Sequence, residues 1–197
     1  MRIVVSDFMS LDGVVQSPGG QGEDTDGEFA HGGWSMPFFE PETMGPAVTE
    51  TMASADALLF GRRTWQTMAA AWPDRAGDPF ADRMNEIPKY VASRTLSQSD
   101  LSWSGSTLLP ADDAIGAVRE LRARDGQALQ VMGSASLAAQ LIAHRLVDEY
   151  RLMIEPILLG GGKRLFPDDG SALPLELVSA TTAATGVLIC TYRPADR

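Results

Sequence analysis

Cysteine is almost missing from this chain: Cys190 stands alone among 197 residues, and histidine occurs only twice, at His31 and His144. An intrachain disulfide is excluded, and so few nitrogen and sulfur ligands cannot build a usual zinc site. No metal is expected. Basic residues are also short, with 16 Lys and Arg against 26 Asp and Glu, a formal charge of −10 and a pI near 4.6. Such a chain has no overall electrostatic footprint for nucleic acid, and anionic membrane surfaces repel it, so neither is expected as a partner. A few arginines can still hold a phosphate locally, because the Debye length is only about 8–10 Å. No apolar run approaches a membrane span. Asp7 interrupts the first apolar stretch before a signal-type segment builds up, which makes the cytoplasm the expected compartment. No G-x-S-x-G elbow is present.

Hydrophobic residues make up 44% and charged residues 21%, a balance that supports a packed core. The length suits one domain spanning 1–197. Residues 2–9 are short and β-branched and read as a strand. A Gly-, Asp- and Pro-rich stretch then runs to about Gly33, longer than a simple connection and of a kind usually tied to function. Helical patterns follow over 42–55 (Met44, Val48 and Met52 on one face, with Pro46 suggesting the start of a turn rather than mid-helix), 62–72, 79–86, 112–124 and 136–144. Between them lie strands at 57–60, 89–92, 107–109 and 129–132. From Val147 the chain turns to strands alone, at 149–159, 175–182 and 187–193. Alternating strand and helix followed by strands predicts an α/β domain whose sheet ends in antiparallel strands. Cys190 falls inside the last strand, where a small buried hydrophobe is the better reading than a nucleophile.

Three strand ends carry chemistry. Leu58-Leu59-Phe60 runs into Gly61-Arg62-Arg63-Thr64-Trp65: a buried strand closes on glycine, and arginines and a threonine open a helix. Glycine permits close backbone approach, first-turn N–H groups can bind an anion, and guanidinium grips phosphate bidentately. An ordinary exposed helix start explains that segment about as well when it is taken alone. Lys89-Tyr90-Val91-Ala92 delivers Ser93, Arg94 and Thr95. Val131-Met132 delivers Gly133, Ser134 and Ala135. Ligands of open α/β sheets bind outside the carboxyl ends of strands, so the three together point to a phosphate-rich ligand. The G-x-G-x-x-G fingerprint is absent. Gly160-Gly161-Gly162-Lys163-Arg164 is not a phosphate loop, since Ile157 and Arg164 stand where that loop needs Gly and Ser/Thr. His144 reads as a helix C-terminal cap.

Ser10-Leu11-Asp12-Gly13, Gly61-Arg62-Arg63-Thr64-Trp65, Ser93-Arg94-Thr95 and Met132-Gly133-Ser134 occur in one order over nearly the whole chain. Together they resemble the dihydrofolate-reductase-like superfamily. The closer resemblance is to the reductase domain of the bifunctional deaminase-reductase of riboflavin synthesis and to its stand-alone bacterial relatives. The resemblance implies a three-layer α/β/α fold around a mixed sheet of about eight strands. It also implies NADPH lying across the strand ends and a hydride delivered to a C=N or C=O group of a small pterin- or aminopyrimidine-like substrate. By position, Gly61, Arg62, Arg63 and Thr64 would meet the cofactor phosphates, Ser93 and Arg94 the 2′-phosphate side, and Gly133, Ser134 and Ala135 the pyrophosphate. Asp12 matches an acid placed near substrate and nicotinamide and is the expected catalytic residue, although Asp-Gly is also a strong turn pair. Two departures stand out. Met132 replaces a glutamate usual before the glycine turn, and on the first helix only Glu42 and Glu50 offer an acid, neither in clean alignment. A non-catalytic nucleotide-binding regulator is the alternative reading. A homodimer is expected from the apolar run 152–159 in the strand-rich tail and from the frequent pairing of relatives.

Overall fold

The computed structural model describes residues 1–75 and 77–195. Eight strands form one sheet in the order β4-β3-β2-β5-β1-β6-β8-β7. In chain order they are β1 (Arg2–Ser10), β2 (Ala55–Gly61), β3 (Lys89–Ala92), β4 (Ser106–Leu108), β5 (Ala128–Met132), β6 (Glu149–Glu155), β7 (Leu175–Thr182) and β8 (Leu188–Pro194). Every pairing from β4 to β6 is parallel. β8 then runs antiparallel to both β6 and β7, as the change in pattern after Val147 predicts.

Among the described residues, five α-helices cover the sheet: α1 (Pro41–Ala53), α2 (Arg62–Ala71), α3 (Pro79–Glu86), α4 (Ala114–Ala123) and α5 (Ala135–Ala143). Successive strand residues face opposite sides, and β2 uses both. Leu59 packs with Val118 and Leu121 of α4 and Leu137 and Leu141 of α5. Leu58 and Phe60 pack instead with Met52, Trp65 and Met84, from α1, α2 and α3. All three β2 side chains are fully buried, the arrangement its unbroken apolar run predicts. Starts are fixed locally: Asp78 accepts from the Phe80 and Ala81 amides ahead of α3, and Asp113 from the Gly116 amide ahead of α4, the N-cap interaction.

Two boundaries differ from the sequence reading. α1 begins at Pro41, with the Glu40 carboxylate accepting from the Thr43 amide, so Pro46 sits inside the helix rather than starting a turn. β6 ends at Glu155, because Pro156 cannot donate to a ladder. The apolar run expected to face a partner is therefore divided: Leu152 and Met153 are core, while Leu158 is 71% exposed. Further large apolar residues are exposed on β7 and β8, at Leu177, Val178 and Leu188.

Candidate active site

Parallel strands bring the carboxyl ends of β2, β3 and β5 beside the middle of β1, where they open on a cleft of about 1900 Å³. Gly61, Arg62, Arg63, Thr64, Ser93, Arg94, Gly133, Ser134 and Ala135 all line it. These nine residues, expected from three separate segments to meet a cofactor, are brought together by the fold.

Two turns form the floor. Gly133 and Ser134 have φ of +58° and +62°, the left-handed region that L side chains enter at a cost. A Cβ at Gly133 would come within 3.3 Å of Thr64 Cγ2, and one at Gly61 within 3.4 Å of Ser134 Oγ. The Thr64 and Ser134 side chains therefore pack closely against the two glycines. The Gly61 amide donates to Ser134 Oγ at 2.8 Å, which ties the end of β2 to the end of β5. No side chain caps α2 or α5, so both helix N-termini face the cleft with donors in place for an anion.

Of the basic groups, Arg62 has only a 3.4 Å contact with Gln66. Arg94 has no hydrogen bond or ion pair among the described residues. Ser93 Oγ accepts from the Thr95 and Leu96 amides, shaping the turn that presents Arg94. Arg63 is committed differently. It pairs with Asp24 and Asp26 of the long glycine-rich segment, and Lys163 Nζ donates to the same two carboxylates. The Arg63 bond, then the Lys163 bond, lower the Asp26 pKa to about 2. The long segment is thus ordered and closes one side of the cleft. Gln16 reinforces it, donating to the Asp24 and Asp26 carbonyls and accepting from the Lys163 amide. The basic Gly160–Arg164 turn serves as its anchor.

Asp12 lies off the cleft wall. Its Oδ1 accepts from Ser10 Oγ at 2.7 Å and from the Leu159 amide at 3.1 Å, and its Oδ2 from the Gly160 amide at 2.9 Å. The Ser10 bond leads in lowering its pKa to about 2. Ionised and fully engaged, it clasps the turn after β1 to the segment after β6. Of the two acids on α1, Glu42 is exposed and off the cleft, whereas Glu50, also exposed, lies on its lining. Met132 joins the apolar cluster around Phe60 and Trp65.

Two acids inside the molecule were not singled out from sequence. Asp7 on β1 lines the cleft, is 8% exposed, and has no partner for Oδ2. Burial raises its pKa to about 8, opposed by the Gly133 amide. Glu155 is completely buried; its Oε1 accepts from Ser35 Oγ at 2.6 Å, its Oε2 has no partner, and burial raises its pKa to about 7. The signal for Asp7 was a carboxylate in the middle of a β-branched strand.

Sheet order, antiparallel C-terminal strands and a ligand-sized cleft at the strand ends define the dihydrofolate-reductase-like class. The structure of dihydrofolate reductase from Enterococcus faecalis, complexed with NADP(H), is similar with a TM-score of 0.61 at 13% identity, covering 99% of this chain and 97% of that one. A protein of Shewanella sp. PV-4 named for riboflavin biosynthesis is similar with a TM-score of 0.71 at 20% identity over 100% of both chains. Residues 2–189 match the RibD C-terminal domain family, and the chain belongs to that reductase-type family. The uncharacterized protein YyaP of Bacillus subtilis is 28% identical over 196 residues, covering 97% of this chain and 94% of its own.

No helix among the described residues is long and apolar enough to cross a membrane, and no group of three metal-ligating side chains occurs among them.

Proposed function

We propose that this protein is an NADPH-dependent reductase acting on a C=N or C=O group of a small pterin- or aminopyrimidine-like substrate. One observation carries the reading: the Gly61 and Ser134 turns, bonded to each other, open two uncapped helix N-termini onto one cleft beside Arg62 and Arg94. A dinucleotide fits that donor set. Backbone N–H groups of the Gly133–Ala135 turn would hold the pyrophosphate, Arg62 and Thr64 would meet phosphate oxygens, and Ser93 and Arg94 the 2′-phosphate. When bound, the cofactor supplies the hydride. The chain's own groups orient substrate and exclude water, the Asp24–Asp26 segment walling one side. Asp12, held away from the cleft, would reach a substrate only through an intervening water.

Titration of NADPH and NADH, followed by NADPH oxidation against a panel of pterins and aminopyrimidines, tests the proposal. Saturable NADPH binding with turnover of any panel member supports it, and no dinucleotide binding overturns it. A regulator that binds the nucleotide without turning anything over is the second reading. It is favoured by Met132, which stands before the glycine turn where the resemblance implies a glutamate.

The proposal includes a cytoplasmic homodimer. Seven of the eight β7 residues are exposed, Leu177 and Val178 among them, and Leu188 at the start of the paired β8 is exposed as well. A sheet edge left in this state is usually covered, and twofold pairing is the commonest way. A monomer by light scattering over a wide concentration range would remove that part of the proposal.

A further inference from the structure

Asp7 is an acid of the cleft wall that is buried with one oxygen, Oδ2, left without a partner among the described residues, the Gly133 amide serving the carboxyl from the turn above it. Alternation along β1 puts its side chain on the face of Val5 and Met9, away from Ser6 and Phe8, and Val5 and Met9 belong to the core beneath α4 and α5. Its Oδ1 lies 4.0 Å from where a Gly133 Cβ would be. The carboxyl therefore sits directly under the turn whose amides, with the α5 N-terminus, form the anion-binding end of the cleft.

No cation compensates it. Neighbouring β5 brings only Met132 and Gly133 to this end. β6 places Leu152 in register with Asp7, and its titratable Tyr150, in register with Val5, keeps its proton well above neutral pH because it too is buried. Arg151 and Glu149 bond to each other on the opposite face. α5 carries no charged residue between Ala135 and Ala143. From α2, Arg63 is held by Asp24 and Asp26, as is Lys163 beyond the long segment. Arg62 makes no ion pair with Asp7.

A carboxylate there and a diphosphate on the turn would be two anions a few ångströms apart in a water-poor site, where their repulsion is weakly screened. The neutral acid has no such conflict. We propose that Asp7 is the ligand-selecting residue of the glycine turn: as the neutral acid it admits a diphosphate to the Gly133 turn and the α5 N-terminus, and as the carboxylate it excludes one. The inference rests on the dinucleotide reading of the cleft and adds to it a residue and a proton. Burial keeps Asp7 protonated up to about pH 8, so the exclusion sets in above that pH. By linkage, a bound diphosphate raises the Asp7 pKa further, and binding near pH 8 takes up a proton.

The test is the dissociation constant of NADPH, and separately of ADP-ribose, between pH 7 and 9.5 for the wild type and Asp7→Asn. The diphosphate of ADP-ribose is a diester that does not titrate in this range. Wild-type affinity is expected to hold to about pH 8 and then fall by up to about tenfold per pH unit. Asp7→Asn mimics the neutral acid and should stay level, binding about tenfold more tightly than wild type at pH 9.5. Superimposable pH profiles for the two proteins overturn the role of Asp7 and leave the dinucleotide reading standing. Binding of ADP-ribose with the expected profile but no binding of NADPH supports Asp7 and sinks the cofactor assignment. Failure of both ligands at every pH removes both. Should Asp7→Asn not fold, the carboxyl 13C resonance of Asp7 in the wild type decides: its midpoint must lie near pH 8 and move upward with ADP-ribose. A midpoint near 4, or one the ligand does not move, overturns the proposal.

Discussion

The Gly61 amide and Ser134 Oγ, 2.8 Å apart, join two strand ends that lie 73 residues apart in sequence. Neither turn holds the cleft alone, because Ser134 has a left-handed backbone and α5 has no side-chain cap. Ser134→Ala should therefore weaken both stability and dinucleotide binding. Leaving the Gly61 donor without its acceptor costs about 1–3 kcal/mol, and each kcal/mol lowers Tm by roughly 2–4 °C in a chain of this size. Thermal unfolding of Ser134→Ala and of Ser136→Ala, one turn position further on, makes the comparison. Equal melting points would mean that the bond contributes nothing.

Arg94 is expected to decide between NADPH and NADH. Its guanidinium is unengaged, whereas Arg63 already serves Asp24 and Asp26. A charge-assisted contact to the 2′-phosphate is worth roughly 1.5–3 kcal/mol, about tenfold or more in affinity. Arg94→Ala should lower NADPH affinity by that factor and leave NADH affinity unchanged. An equal loss for both cofactors would move Arg94 away from the 2′-phosphate.

These expectations were readable in the sequence to differing depth, for physical reasons. Gly61-Arg62-Arg63-Thr64 announced itself because a strand end, a glycine and a helix start are local events. The long-range consequences were silent: nothing in Asp24 or Asp26 says that they will engage Arg63 and Lys163. Asp12 matched a functional acid in position, yet its neighbours in space are the Leu159 and Gly160 amides, 147 and 148 residues away. Asp7 was visible as an acid within a strand, but its burial depends on α5 closing over that face of the sheet. Pro46 misled because a helix tolerates proline when capping and packing outweigh one missing bond.

Glu155 should make the protein less stable as the pH rises through the mildly acidic range. Its folded pKa, about 7, lies above its ordinary value of 4.5, so the native state holds the proton more tightly than the unfolded chain. That contribution is fully present below pH 4.5 and lost as the pH rises to about 7. Gln cannot ionise and keeps an acceptor for Ser35. The Tm of Glu155→Gln relative to wild type should therefore climb between pH 4.5 and 7 and stay constant above. Asp7 adds a slope of the same sign in both proteins, and the difference cancels it. A Tm difference independent of pH would show that Glu155 titrates normally.

Asp12→Asn separates a clasp from a proton relay. The carboxylate accepts on both oxygens, whereas Asn offers one acceptor and an NH2 that faces a backbone amide. A clasp therefore predicts lower stability with turnover and NADPH affinity preserved. The folded pKa near 2 lies below the ordinary 3.8, so the stability Asp12 contributes is present above about pH 4 and lost as the pH falls toward 2. The deficit of Asp12→Asn should shrink over the same interval. A relay predicts otherwise: removing a positioned acid or base lowers turnover by about 10²–10⁴-fold and leaves cofactor affinity intact. The geometry favours the clasp, because Ser10, Leu159 and Gly160 already fill the carboxylate and none of its atoms lines the cleft. Turnover of Asp12→Asn at pH 7, with melting curves from pH 2 to 7, distinguishes the two, and a hundredfold loss of turnover in a normally stable variant would return Asp12 to the chemistry.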